Sequence, residues 1–156
     1  MHLLKKYIYI ALIFIPLLLI YIQSCGEDNL QNPGQHFSAT GLFIQPEGSA
    51  DTLVYYHNGS FTDGKDSLFV NAGDTTSNLQ IIFLDAARNV ISPPLSSEYS
   101  LGLDIANLNI AKTLITQRWD FRLVGITSGQ TTLIIKVIHG THADFTSMPV
   151  RIRVIP

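Results

Sequence analysis

The sequence predicts an all-β fold, an antiparallel β-sandwich, placed behind an apolar N-terminal helix and a polar tether. Two observations predict it. Short runs rich in β-branched and aromatic residues recur at roughly ten-residue spacing along the second three-quarters of the chain, each ended by a turn signal. No stretch there carries a convincing helical stripe; residues 105–116 come nearest, and their β-branched content argues against a helix.

The N-terminus has the layout of an export signal. Lys5 and Lys6 open it, and sixteen uncharged residues from Tyr7 to Ile22 follow. A bilayer span needs about 20 apolar residues, so this run is marginal as a permanent anchor. Pro16 near its middle weakens the helix further. Ile22, Gln23 and Ser24 then lead to the only cysteine, Cys25. These residues resemble the lipobox of bacterial lipoproteins, in which a small residue precedes a cysteine that becomes lipid-modified and N-terminal after cleavage. Ile22 and Ser24 match that pattern, and Gln23 departs from it. The resemblance implies a signal peptide over residues 1–24, a covalent lipid on Cys25 and membrane attachment through it, with two or three acyl chains making the attachment stable. An ordinary signal anchor with an incidental buried cysteine is the alternative, and both readings export the body. Glu27 and Asp28 resemble the short acidic signal that sends some lipoproteins of the Bacteroides group to the cell surface. Surface and periplasmic faces both stay open.

Cysteine count and charge narrow the classes. A single cysteine forms no internal disulfide, so the body stands on its core alone. Without Lys5 and Lys6, eight basic residues face twelve acidic ones, a formal charge of −4. No basic run or stripe remains, which argues against nucleic-acid binding.

Residues 25–38 read as the lipidated cysteine and a flexible tether, polar and broken by Pro33-Gly34. Residues 39–156 read as one domain, large enough for a substantial core. Its strands follow in order: GLFIQ; TLVYYH, ended by Asn58-Gly59, the strongest two-residue hairpin signal; SLFV; LQIIFL; EYSLGLD; a stretch around LNIAKTLIT; WDFRLVGI; TTLIIKVIH; and VRIRVI. Alternation assigns their faces. Val150, Ile152 and Val154 point inward and Arg151 and Arg153 outward; Leu133, Ile135, Val137 and His139 share an inner face against Lys136; Trp119, Phe121 and Leu123 oppose Asp120 and Arg122.

Residues 79–155 resemble bacterial immunoglobulin-like domains. Phe83, Leu84, Asp85, Asn89 and Val90 match their strand that ends in Asp before a turn, with Asn89 expected to take the left-handed conformation. Gly125, Gly129, Thr131, Thr132 and Leu133 match their Gly-rich stretch before an apolar strand. The resemblance implies an immunoglobulin-like antiparallel β-sandwich and is silent on activity.

One cluster carries chemistry: His139, His142 and Asp144, at the connection between the last two strands. Two imidazoles and a carboxylate in six residues suit zinc or copper, with Gly140 supplying a bend and His36 or His57 able to give a fourth donor. The competing structural reading has His139 bonding a backbone carbonyl and Asp144 forming a local turn with the amides after it. The segment HADFTSMPV is also similar to the C-terminal end of uncharacterised bacterial lipoproteins with a His-Ala-Asp-Phe-Thr-Ser segment, which implies a shared local structure.

Enzyme signals are missing. Ser147, His142 and Asp144 come without a nucleophile elbow, and Asp63 and Asp66 sit in TDGKD, which reads as a turn with too few oxygen donors for calcium. Adjacent Tyr55 and Tyr56 must face opposite ways in a strand, so one is a candidate contact for a glycan or protein partner. The expectation is a non-catalytic lipoprotein of a bacterial cell envelope, at the outer membrane, acting as a binding or structural module; the alternative is a metal-binding envelope protein that uses His139, His142 and Asp144.

Overall fold

The structure is a computed structural model that describes residues 36–156. The signal segment, Cys25 and most of the tether lie outside the described residues. The body extends back past the expected boundary at residue 39, because Phe37 is buried and packs edge-on against Phe83, with ring centroids 5.2 Å apart.

Eleven strands follow in chain order: β1 (Gly41–Pro46), β2 (Val54–His57), β3 (Ser60–Asn71), β4 (Leu79–Leu84), β5 (Val90–Ile91), β6 (Tyr99–Ile105), β7 (Ala111–Gln117), β8 (Asp120–Gly125), β9 (Gly129–His139), β10 (His142–Thr146) and β11 (Val150–Ile155). The described residues contain no α-helix, and the all-β expectation holds. The expected alternation sets the core. Leu133, Ile135 and Val137 of β9, Phe121 and Leu123 of β8 and Val150, Ile152 and Val154 of β11 are buried, while Arg151 and Arg153 are exposed. Burying each large apolar side chain contributes about 1.5–3 kcal/mol.

The strands pair in one path, β10-β9-β11-β3-β2-β1-β4-β8-β7, with β5 added to β4 and β6 to β9. Since β6 also lies beside β7, the path curls nearly closed. The β2–β3 hairpin forms where Asn58-Gly59 predicts it. Both residues have positive φ, 48° and 78°, as a type I′ turn requires.

Four departures from the expected layout have local causes. TDGKD lies inside β3 rather than in a turn: the register against β2 shifts there and Gly64 takes φ 71°, so the strand bulges without ending. Pairing is not purely antiparallel either. The first half of β3 pairs with β2 and its second half with β11, the latter in parallel, Leu68 beside Ile152 and Val70 beside Val154. In the turn after β4, Arg88 rather than Asn89 is left-handed, with φ 68°. Asn89 is held instead by the Asp85 carboxylate, to which both its backbone and side-chain N–H groups donate. Finally, Asp120 is buried, because Asn78 Nδ2 donates to it from the loop before β4.

Candidate metal centre

The β9–β10 hairpin builds most of the site. Gly140 takes φ 56° at the first central position of the two-residue connection, the place a type II′ turn gives to glycine. That turn sets His142 directly opposite His139 in the ladder, so both imidazoles leave the same face of the hairpin. Two residues later the register shifts between Ala143 and Phe145. Asp144 is the extra residue of this β-bulge, and a bulge re-aims the side chain it carries.

His36 completes the cluster from the other end of the body. Phe37, anchored in the core, holds it in place, and the Phe37 backbone N–H donates to Asp144 Oδ2 at 2.7 Å. The other carboxylate oxygen, Oδ1, lies 2.9 Å from His36 Nδ1 and 3.0 Å from His142 Nε2. These two nitrogens are themselves 3.3 Å apart. Counting one donor atom from His139, the four donors all lie within 4.8 Å of one another.

This spacing suits a metal better than protons. No one placement of protons satisfies all three contacts, since a nitrogen that donates to Asp144 Oδ1 cannot also accept from the other ring, whereas a cation takes all three lone pairs at once. Donors 2.0–2.1 Å from a tetrahedral zinc are about 3.3 Å apart; the His36 and His142 nitrogens match that at 3.3 Å, and the two contacts to Asp144 Oδ1, at 2.9 and 3.0 Å, are shorter. Among the described residues only two buried side-chain nitrogens lack a hydrogen-bond partner, and one is His139 Nδ1. It stands 3.6 Å from Asp144 Oδ2, beyond hydrogen-bond reach.

The surroundings orient the ligands. The His139 ring stacks on Tyr99, its cross-strand partner in β6, with centroids 4.2 Å apart and planes 11° from parallel. Its Nε2 faces Glu98 Oε2 at 3.7 Å, beyond hydrogen-bond reach. Exposure is graded across the set: the Asp144 side chain is 0% exposed, His139 19%, His142 52% and His36 67%. Burial pushes the Asp144 carboxyl up, but the Phe37 N–H, the His36 hydrogen bond and the nearby imidazoles outweigh it and hold the pKa below the ordinary value. The carboxylate is therefore charged and ready to accept a cation.

The structure brings together His139, His142 and Asp144 as the spacing suggests, and it selects His36 over His57. The His57 ring is buried elsewhere, with Nε2 2.9 Å from the Asp85 carbonyl oxygen. Glu98 and Tyr99 carry no signal in sequence, since only the β6–β9 register puts them beside His139. The structural alternative for the hairpin is not what forms: Asp144 accepts from Phe37, 107 residues away, rather than from the amides that follow it. Ser147 serves the sheet, accepting the Ile135 N–H with its hydroxyl at 3.0 Å. Tyr55 is half-buried against Phe43, its ring nearly parallel at 6.3 Å. Cys25 lies outside the described residues.

A separate cleft of 330 Å³, lined by Gln80, Ile82, Val90, Pro93, Arg118 and Trp119 among others, shares no residue with this cluster.

No protein-family model matches the chain, and no curated protein does. Among solved structures, domains 4 and 5 of the S-layer protein SbsC align with 58% of this chain at 16% identity and a TM-score of 0.41, spanning 47% of that chain, less than half its length.

Proposed function

We propose that this protein is a non-catalytic, lipid-anchored protein of a bacterial cell envelope that binds zinc through His36, His139, His142 and Asp144. Cys25 carries the lipid in this reading, and the body is an immunoglobulin-like variant that presents the metal site. One observation carries the metal assignment: His36, 106 residues before His142, joins the three candidate ligands of the β9–β10 hairpin, and His139 Nδ1 is left without a hydrogen-bond partner. Three nitrogens and one oxygen suit zinc or copper(II) and not the soft ions that select thiolates. Of the two, zinc is the ion that four-coordinate sites of histidine and carboxylate commonly hold.

The test is metal content and zinc titration of the full chain in detergent, purified without a histidine tag, beside a His139→Ala, His142→Ala double variant. One tight zinc per chain in the wild type and none in the double variant is the expected result. Equal, weak binding by both would remove the site and leave the body as a binding or structural module for a protein or glycan partner.

A further inference from the structure

Resting on the zinc reading above, we infer that the site is an exchange site for a metal cargo, and that His36 is the ligand that leaves to let the metal pass to an acceptor. The four ligands are held very unequally. His139 and His142 belong to strands paired in the β9–β10 ladder, and Asp144 is enclosed in the bulge between them. His36 belongs to no strand, precedes β1 by five residues and is the most exposed of the four. Rotation about its own side-chain bonds, with Phe37 still anchored, takes the imidazole away without breaking a ladder hydrogen bond.

The other three ligands stay in order when it goes. The Phe37 N–H bonds Asp144 Oδ2 and not the oxygen that faces His36, so the carboxylate keeps its orientation. Stacking on Tyr99 keeps His139 in place. A zinc on His139, His142 and Asp144 alone has three protein ligands and one open position, the arrangement that admits an outside ligand. A closed structural site differs in that its metal is needed for folding, whereas this body buries an extensive apolar core of its own, with Leu42, Ile44, Phe83, Phe121, Ile135 and Ile152 fully enclosed.

The transfer step balances. The zinc–nitrogen bond to His36 breaks, the imidazole leaves neutral with its lone pair, and a nitrogen, oxygen or sulfur donor of the acceptor bonds in the vacated position. No electron is transferred, and the two positive charges depart with the metal as the acceptor displaces the remaining three ligands. His36 then returns to Asp144 as the tautomer that carries its proton on Nδ1, exchanged through water.

Stopped-flow transfer of zinc from the full chain in detergent to the chromogenic chelator 4-(2-pyridylazo)resorcinol tests this. For the wild type, the rate is expected to rise with chelator concentration and level off at the rate at which His36 departs. His36→Ala is expected still to bind one zinc, with affinity lower by at least about tenfold, the least that loss of a mere outer partner costs, and to transfer it about tenfold faster at equal chelator, without the plateau. A wild-type rate independent of chelator, or a variant that transfers no faster than the wild type, would overturn the exchange role while leaving the zinc site standing. Absence of zinc from the wild type would overturn both.

Discussion

Two enclosed aspartates show how environment decides the behaviour of one residue type. Asp144 and Asp120 are both shielded from water, yet their pKa values move in opposite directions. Asp144 has a backbone N–H and imidazoles aimed at its oxygens, so its charged form wins. Asp120 is raised by burial; the Asn78 hydrogen bond does not offset that, and nearby Glu47 raises it further. The consequence for stability has a definite sign. An aspartate whose pKa is higher folded than unfolded gives up stability as pH rises from about 3.9, the unfolded value, through its folded value, because the unfolded chain releases its proton first. Asp120→Asn removes that loss and keeps a carbonyl to accept from Asn78. Thermal unfolding at pH 7 is expected to show a Tm about 1–4 °C above wild type, with the difference gone at pH 3. A variant equally stabilised at both values would show that charge is not the cause. Residue patterning read the inner faces of β8, β9 and β11 correctly but put Asp120 outside, since alternation cannot see Asn78 arriving from a distant loop.

At the scale of elements, strand positions were legible wherever apolar alternation ran unbroken, and illegible where polar residues interrupt a strand. TDGKD in β3 and HADFT in β10 both carry turn-forming residues, and in both cases a bulge absorbs them while the ladder continues. The β10 bulge is also what directs Asp144 to the histidine cluster, so the feature that hid the strand is the one that builds the site. Close approach between elements sets a different constraint. Gly125 ends β8 against the end of β3, and a Cβ there would stand 2.2 Å from the Asn71 carbonyl oxygen and 3.1 Å from a Val154 methyl. The first contact is with backbone that is itself tied to the turn after β3, where the Gly73 N–H donates to the Gly125 carbonyl. Gly125→Ala is therefore expected to cost about 3 kcal/mol, read as a lowered denaturant midpoint. Gly48→Ala has open space around its Cβ and, with φ 74°, is expected to lose only about 1–2 kcal/mol. A loss at Gly125 no larger than that at Gly48 would mean that the Asn71 backbone gives way and the contact sets no extra cost.

For the whole molecule, the question is how the cluster couples to a fold that already has an extensive core. Sequence spacing located three of its members and left the fourth between His36 and His57, because the choice depends on where the chain entering β1 passes relative to the last hairpin. That is a property of non-local pairing, as is the parallel β3–β11 contact, and no local pattern encodes either. The result is a site whose members span 108 residues, from His36 to Asp144. A metal that binds there only in the folded state stabilises the whole body by mass action, by about 2.7 kcal/mol at a free concentration 100 times its Kd. For a body of this size that corresponds to a Tm increase of roughly 10 °C. The metal-free chain is expected to unfold in one cooperative transition, zinc to move that transition upward as its concentration rises, and EDTA to return it to the starting value. Retention of the metal-free transition in EDTA distinguishes cargo from structural zinc: a chain that unfolds at 25 °C once stripped of metal would place the ion among the determinants of the fold and remove the basis for exchange through His36.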